Sequence, residues 1–317
     1  MQSEDKGTVR AEDGRRKEEG TARGQAGRSE RECALVWKRN GRERVLETQE
    51  RAGVPYLYFP AFEESGLVRH GFSTRLGGVS RGDCATMNFA LNRGDDPANV
   101  RENYRRMAAA IGFRAEQMVL AKQTHTIHIR RVTKDDAGKG YCRERDYKDI
   151  DGLMTDVPGL TLVTSYADCV PLLFLDPVRR VIAASHSGWR GTAAGMGRHT
   201  VEALRETYGC RAQDLLVGIG PSICQSCYEV GEEVAEAFAG LCGPDTELVR
   251  PIEEKPGKYL LNLQKINERI LLEAGVKKEH IFVTDLCTCC NKDLLFSHRG
   301  SRGRRGNMAA FLCLRED

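Results

Sequence analysis

The chain has 317 residues, of which 40% are hydrophobic and 29% charged, and its formal net charge is only +3. This near balance argues neither for a nucleic-acid coat nor for binding to a membrane surface. The amino terminus has no apolar core of a signal peptide, and no apolar run approaches the ~20 residues of a membrane span. We therefore expect a cytoplasmic protein with no nucleic-acid or membrane partner.

The first 32 residues differ in composition from the rest. They contain eight acidic and eight basic residues and almost no apolar ones. Such a segment buries too little surface to offset the entropy that ordering would cost. We therefore predict a disordered charged tail over residues 1–32 and a single domain over residues 33–317.

The first predicted elements follow the tail. Asn40-Gly41 predicts the turn of a hairpin, and an aromatic strand is predicted over 56–62. Asp96 and Pro97 are the predicted N-cap and first residue of a helix. The buried face of that helix is predicted to carry Val100, Tyr104, Met107 and Ile111.

The remaining predictions are strands over 118–121, 125–132, 160–165, 215–219, 281–285 and 308–314, two paired strands around Leu173 and Ile182, and helices over 194–208, 230–241 and 263–273. Asn262 is the predicted N-cap of the last helix. Many strands, few helices and no regular βαβ alternation indicate an α/β sandwich with mixed sheets.

A cysteine and a histidine flank two apolar runs that a short Asp176-Pro177 turn joins. Cys169 precedes the first run and His186 ends the second. Paired strands would bring both residues to one rim of a sheet. His125 heads another strand-like run and supplies a third ligand. Two imidazoles and a thiolate with an open fourth position suit a catalytic zinc.

Spacing alone leaves other interpretations of these residues open. Cys169 can also be a packed core cysteine beside two hydrogen-bonded histidines, because no short metal-binding spacing is present. His128 competes with His125 as the ligand, since positions 125 and 128 point to opposite faces of a strand. Asp168 is a candidate to orient a ligand histidine or to act as general acid or base, and its alternative is an N-cap or turn residue.

Four polar residues in loops are candidates for substrate binding. Arg75 and Arg190 are flanked by glycines that allow a ligand to approach closely, and arginine binds oxyanions through paired hydrogen bonds. Ser73 and Asn88 are further candidates with weaker signals. The alternative for each arginine is a solvated surface group.

Two cysteine clusters and a basic run complete the candidates. Cys224-Gln-Ser-Cys227 and Cys287-Thr-Cys-Cys290 can form a structural zinc site with four thiolates. Their alternatives are a redox pair and reduced thiols without a metal, which suit a chain of this length. The run over 299–306 is expected to be a surface loop that can cover an anionic substrate or contact RNA weakly.

A series of motifs runs through the chain in one order: His70-Gly-Phe-Ser-Thr-Arg-Leu-Gly-Gly-Val-Ser80, Asn88-Phe-Ala-Leu-Asn92, Gly94-Asp-Asp-Pro-Ala-Asn-Val-Arg-Glu-Asn103, Lys122-Gln-Thr-His125, Ala167-Asp-Cys169, Ser185-His-Ser-Gly-Trp-Arg-Gly191 and Gly220-Pro-Ser-Ile223. Over residues 33–317 this series resembles the laccase-domain family, which is also named purine nucleoside phosphorylase or polyphenol oxidase.

The resemblance implies a four-layer α/β/β/α sandwich and a zinc site at His125, Cys169 and His186. It also implies phosphorolysis of adenosine, inosine, guanosine and S-methyl-5′-thioadenosine, together with deamination of adenosine. Purine nucleosides and phosphate are then the expected partners. Many relatives carry Arg just before Met-Ala, where this chain has Asn307, and Arg305 is the neighbour that can replace that arginine.

The leading hypothesis is thus a zinc-dependent purine nucleoside enzyme, with Arg75 and Arg190 on the phosphate and Asp168 moving protons. The second is a metal-free cysteine hydrolase or amidase, with Cys169 as nucleophile and His186 or His125 as base. A third is a binding module that acts through the basic run.

A copper-dependent phenol oxidase in the same pocket is a further alternative, because copper outcompetes zinc at such ligands. A four-copper laccase centre does not fit the sequence. Such a centre is built largely from His-x-His pairs, whereas the chain has seven histidines and no such pair.

Overall fold

The computed structural model describes residues 35–41 and 43–316. The tail predicted over 1–32 lies outside these residues, and the domain boundary at residue 33 stays a prediction. The helices are α1 (Pro60–Glu64), α2 (Pro97–Ile111), α3 (Trp189–Ala193), α4 (Met196–Tyr208), α5 (Glu232–Glu236), α6 (Ala239–Cys242) and α7 (Leu263–Glu273).

The strands are β1 (Glu47–Arg51), β2 (Val54–Tyr58), β3 (Val68–Ser73), β4 (Met118–Leu120), β5 (Ile129–Arg131), β6 (Gly152–Thr155), β7 (Thr161–Tyr166), β8 (Val170–Asp176), β9 (Val181–Ser187), β10 (Leu216–Ile219), β11 (Glu229–Gly231), β12 (Val249–Pro251), β13 (Lys258–Leu261), β14 (Ile281–Val283) and β15 (Met308–Leu314).

These strands form two large sheets and one small one. The first sheet has the order β1-β2-β3-β15-β7-β4 and the second β14-β10-β8-β9-β6-β5. Each contains both parallel and antiparallel neighbours, because β4 runs parallel to β7, β14 to β10 and β5 to β6. The small sheet β11-β13-β12 is antiparallel. The prediction of an α/β fold with mixed sheets is confirmed.

Apolar side chains on the two faces of each large sheet enter different cores. Phe72 of the first sheet and Leu173 of the second belong to one core that both sheets share. Phe174, the next residue along β8, points to the opposite face and packs in a second core with Ile266 of α7. Phe311 of β15 packs on the outer face of the first sheet in a third core with α2.

Two helices begin at the N-cap residues that the sequence predicts. The Asp96 carboxylate accepts a hydrogen bond of 2.8 Å from the Ala98 N–H at the start of α2. The Asn262 side chain accepts one of 3.1 Å from the Lys265 N–H at the start of α7. The predicted apolar face of α2 is buried, and the strands around Leu173 and Ile182 are paired neighbours. These predictions are confirmed.

Four predictions are wrong in position or type. The strand predicted over 56–62 ends at Tyr58, because Pro60 begins helix α1. The hairpin turns at Ala52-Gly53, between β1 and β2, and not at Asn40-Gly41, because the Asn40 N–H is bonded to the Asp285 carbonyl oxygen. The strand predicted from residue 125 begins only at Ile129. The helix predicted over 230–241 is instead strand β11 and two short helices, since residues 229–231 pair with β13.

None of the described helices has both the length and the apolar sequence that a membrane crossing requires.

Candidate active site

The β8–β9 hairpin brings the predicted cysteine and histidine together. Pro171 is paired with His186 across the hairpin, so Cys169, two residues before Pro171, lies at the same end of the sheet. The turn is fixed by Asp176, whose carboxylate accepts hydrogen bonds of 2.9 Å from the N–H groups of Val178 and Arg179. Local turn chemistry thereby sets the register that places the two side chains side by side.

His125 completes a group of three ligands. The donor atoms of His125, Cys169 and His186 all lie within 4.8 Å of one another, and the two imidazole rings are 5.1 Å apart between centroids. His125 lies in a loop with a φ of 67°, not in a strand. His128 does not belong to the group, because its Nδ1 contacts the carbonyl oxygen of Asp149 at 3.0 Å.

A buried aspartate holds the two histidines in place. Oδ1 of Asp151 lies 2.8 Å from Nδ1 of His186, and the same carboxylate accepts hydrogen bonds from the backbone N–H groups of Thr124, His125 and Thr126. Burial alone would raise the pKa of Asp151. The hydrogen bonds from His186 and the loop outweigh it and lower that pKa to about 2. Asp151 is therefore an ionised carboxylate that fixes the orientation of His186.

The glycine after β9 leaves room for the ligands. A Cβ atom placed on Gly188 would lie 3.0 Å from the Cys169 sulfur and 3.1 Å from Cδ2 of His125. Both distances are shorter than ordinary carbon contacts, so any larger residue would push the cysteine and the histidine apart. The Ser-Gly-Trp-Arg-Gly motif thus contains a glycine that the site requires for steric reasons.

Charges within the site favour a thiolate. Burial would raise the pKa of Cys169, but the charge of His186 and hydrogen bonds from both histidines lower it to about 6. Burial would lower the pKa of His186, but the Cys169 thiolate and the hydrogen bond with Asp151 raise it to about 9. Without a metal, the pocket holds a thiolate beside an imidazolium at neutral pH.

The donor set suits a soft divalent cation. Zinc–sulfur and zinc–nitrogen bonds of about 2.0–2.3 Å place tetrahedral ligands about 3.3–3.8 Å apart, within the spacing of these three donor atoms. Two imidazoles and one thiolate leave a fourth position for a substrate group. The same ligands also bind copper, so the geometry alone selects no metal.

The three ligands open into a cavity of about 330 Å³ with a basic lining, a size that suits a small-molecule ligand. Lys122, Arg93, Arg145 and Arg305 line it together with His125 and His186, and no Asp or Glu is among the described lining residues. Such a wall attracts anions. Of the basic run over 299–306, only Arg305 lines the cavity.

Arg305 has a spare donor. Its guanidinium donates hydrogen bonds to Asn307 Oδ1 and to the Gly306 carbonyl oxygen, while its buried Nε has no partner in the described structure. Burial, aided by the charge of Arg93, lowers the pKa of Arg305 to about 10, so the side chain stays charged at neutral pH. Because Arg305 lines the cavity, its charge adds to that of Arg93 and Lys122 and favours an anion there.

The structure gives Asp168 a different set of contacts from those predicted. Its two carboxylate oxygens accept hydrogen bonds from the Thr288 hydroxyl at 2.6 Å and from the Arg299 N–H at 2.7 Å. Asp151, and not Asp168, orients the ligand histidine. Asp168 thus connects the loops that contain Thr288 and Arg299 to the residue that directly precedes Cys169.

The other predicted substrate residues lie outside the cavity lining. The Ser73 hydroxyl accepts a hydrogen bond from the Ala309 N–H, and the Arg75 guanidinium donates to the carbonyl oxygens of Ala85 and Lys292. Asn88 accepts from the Ala90 N–H and thereby shapes the loop that lines the cavity. Arg190 is exposed and lies over the Trp189 ring at 4.2 Å.

Asp151, which holds His186, and several residues of the cavity lining were not among the predicted candidates. Asp151 is preceded by a polar loop and followed directly by the buried strand β6, which is a detectable signal for an inward-pointing acid. Lys122 belongs to the same motif as His125. Arg93 and Arg145 come from loops with no local signal, because only the tertiary fold brings them to the cavity.

Comparison with known proteins supports a family assignment. Residues 69–315 match the family model described as multi-copper polyphenol oxidoreductase laccase. The chain belongs to this laccase family. One relative, named purine nucleoside phosphorylase YlmD, from Geobacillus stearothermophilus, is 39% identical over 251 residues, which cover 78% of this chain and 90% of the relative. Another, a purine nucleoside phosphorylase from Deinococcus radiodurans, is 35% identical over 262 residues, covering 83% and 94% respectively.

Two solved structures have folds similar to that of this chain. The crystal structure of YfiH from Bacillus licheniformis matches with a TM-score of 0.79 and 34% identity, covering 84% of this chain and 99% of that one. The crystal structure of the Geobacillus YlmD matches with a TM-score of 0.77 and 37% identity, covering 85% and 99%.

Proposed function

We propose that the chain is a metal-dependent purine nucleoside phosphorylase whose site is formed by His125, Cys169 and His186. The observation that carries this proposal is the position of these three ligands at the wall of a basic cavity. Relatives named purine nucleoside phosphorylase support it. We propose adenosine, inosine, guanosine and S-methyl-5′-thioadenosine as substrates.

In this proposal the basic residues bind phosphate. Arg305, Arg93 and Lys122 line the cavity and supply its positive charge. Charge-assisted hydrogen bonds from arginine orient phosphate for attack on C1′ of the ribose. They also stabilise the negative charge of the phosphate in the transition state. The family resemblance implies Arg at the position of Asn307. Arg305 lines the cavity and donates a hydrogen bond to Asn307, so we propose that Arg305 takes over the phosphate.

Aromatic rings supply the wall for the purine. Phe89, Tyr104 and Tyr166 line the cavity, and Tyr104 donates a hydrogen bond of 3.1 Å to the Phe89 carbonyl oxygen. Aromatic side chains beside charged groups suit a ligand that has a base at one end and an anion at the other. When bound, zinc would supply a Lewis acid beside the reacting groups. Asp151 keeps the His186 ring in the orientation that such a ligand needs.

Deamination of adenosine is a further proposal for the same site. It needs a group that moves protons, and the Asp168 carboxylate is already bound by Thr288 and Arg299. Asp168 can therefore transfer protons only through a hydrogen-bonded neighbour. Otherwise another group has to transfer them. Inosine formed from adenosine without phosphate, and lost in His186→Ala, is the expected result.

The central experiment compares two histidine variants. Purified protein is incubated with adenosine, with and without phosphate, and the products adenine, inosine and hypoxanthine are separated by chromatography. We expect about one metal ion in this site per chain, and His125→Ala to abolish both metal binding here and turnover. His128→Ala is the matched control, because His128 is outside the ligand group. Absence of any base or inosine product under every metal loading would refute the assignment.

A metal-free cysteine hydrolase is the second candidate, and the thiolate–imidazolium pair favours it. Cys169 would be the nucleophile and His186 the acid and base. A chelator distinguishes the two functions, because it removes a metal-dependent activity and leaves a thiol-dependent one intact. Oxidation of a phenol after copper loading, lost in Cys169→Ala, would instead support a single-copper oxidase.

We also propose a four-layer α/β/β/α arrangement for the domain over 33–317. The shared core of the two large sheets, with α2 on the outer side of the first and α7 on the outer side of the second, supports this order of layers.

A further inference from the structure

Four cysteines outside the active site converge on one point. Cys224 and Cys227 lie in the loop after β10, and Cys287 and Cys290 lie in the loop after β14. Their sulfur atoms all lie within 4.8 Å of one another, although Cys224 and Cys287 are 63 positions apart in sequence. Each pair has the Cys-x-x-Cys spacing with which one turn of chain presents two sulfurs to the same ion.

The arrangement of the sulfurs matches a tetrahedral ion. Zinc–sulfur bonds of about 2.3 Å place tetrahedral sulfurs about 3.8 Å apart. The sulfurs of Cys227 and Cys290 are 3.5 Å apart, and the structure has all four cysteines as free thiols. Two disulfides would divide the group into bonded pairs, whereas here every sulfur is near the other three.

Backbone and hydroxyl donors already point at these sulfurs. The N–H groups of Cys224 and Cys290 donate to the Cys287 sulfur at 3.2 and 3.4 Å, and the Ser226 hydroxyl lies 3.3 Å from the Cys224 sulfur. Donors of this kind stabilise negative charge on a thiolate. Cys287 is fully buried, so its charge would otherwise be costly.

We propose that Cys224, Cys227, Cys287 and Cys290 together bind a structural zinc ion. Binding replaces four S–H bonds with four zinc–sulfur bonds and releases four protons to solvent. The resulting site carries a net charge of −2, and the Arg299 guanidinium lies beside it, donating to the Cys227 carbonyl oxygen at 3.4 Å. All four positions are filled by protein, so the ion has no place for a substrate.

The position of the four cysteines indicates what the ion does. The Ile223 N–H donates to the Asp168 carbonyl oxygen at 3.0 Å, and the Thr288 hydroxyl donates to the Asp168 carboxylate at 2.6 Å. The two donors are direct neighbours of Cys224 and Cys287. Zinc would lock together the two loops that hold Asp168, whose φ is 87° and whose next residue is Cys169. The ion is thus expected to stabilise the backbone of the active-site cysteine.

Metal content of the full chain tests this proposal. Wild-type protein, purified in the presence of zinc, is expected to contain about two zinc ions per chain by mass spectrometry of the metal, and His125→Ala about one. Cys290→Ser should lose one ion and melt at a lower temperature. Cys289→Ser is the matched control. Cys289 is next to Cys290 in sequence but is not in the group, so this variant should keep both ions.

Two further measurements test the proposal even if Cys290→Ser does not fold. Cobalt(II) substituted into His125→Ala should give the intense thiolate-to-cobalt absorption of a four-sulfur tetrahedral site. Mass spectrometry of unreduced, alkylated wild-type protein should find no disulfide among the four cysteines. The proposal would be overturned if His125→Ala bound no zinc and gave no cobalt–thiolate band. A disulfide between any two of the four cysteines would also overturn it. Inactive protein that keeps this ion would count only against the phosphorylase assignment.

Discussion

Asp151 contacts His186 through both its side chain and its backbone. Its Oδ1 lies 2.8 Å from Nδ1 of the histidine, and its carbonyl oxygen accepts a hydrogen bond of 2.8 Å from the histidine N–H. Because β6 and β9 are paired at this point, strand register and side-chain orientation support one another. The ligand histidine therefore cannot turn without breaking a hydrogen bond between two buried residues.

Asp151→Asn should weaken metal binding by about 10–100-fold. An amide has one acceptor oxygen where the carboxylate accepts from three backbone N–H groups, the Thr126 hydroxyl and His186, so buried donors lose their partners. Titration of chelator-treated protein with zinc in competition with a coloured chelator measures the change. Asp149→Asn is the control, because Asn tolerates the φ of 56° at that position. Unchanged affinity in Asp151→Asn would contradict the orienting role.

Gly188→Ala should disrupt the site for a steric reason. The new methyl group would lie 3.0 Å from the Cys169 sulfur, and relieving such a contact costs about 1–3 kcal/mol. We expect reduced metal content and reduced turnover, measured on the same preparation. Gly191→Ala is the matched control, since the nearest atom to a Cβ there is 3.5 Å away. Equal losses in both variants would argue against a specific role for Gly188.

Arg305→Gln should raise the KM for phosphate roughly ten- to hundredfold, because a hydrogen bond to a charged group contributes about 1.5–3 kcal/mol. The KM for the nucleoside should change much less. Arg304→Gln serves as control, because Arg304 is an exposed neighbour that pairs with Asp83 at 3.0 Å. Initial rates at varied phosphate concentration give both constants, and an unchanged phosphate KM in Arg305→Gln would assign the anion to other residues.

The metal-free protein should contain an unusually acidic thiol at position 169. The thiolate is the reactive form, and the lowered pKa of about 6 keeps it present at neutral pH. In chelator-treated protein, alkylation of Cys169 should therefore be fast above pH 6 and fall as the pH drops through that value. Peptide mass spectrometry of samples quenched at intervals follows the reaction. His186→Ala should move the inflection upward, because it removes the charge that stabilises the thiolate.

Local sequence was sufficient for elements with strong signals of their own. Asp96 and Asn262 start helices because their side chains cap the first N–H groups, and the Asp176-Pro177 turn pairs β8 with β9. The hairpin at Asn40-Gly41 was wrong because a turn-forming dipeptide makes a hairpin only when its flanks pair with each other. Here Arg39 bridges to Leu286 instead.

The sequence by itself determined the family, the mixed α/β class and the three residues whose donor atoms converge, since motif order and ligand chemistry are written in the chain. Only the tertiary structure decided between His125 and His128, exchanged Asp168 for Asp151 as the partner of His186, and placed Ser73, Arg75, Asn88 and Arg190 outside the cavity lining. The reason is physical: hydrogen-bond partners and cavity walls come from segments far apart in sequence, and no local pattern records which of them meet.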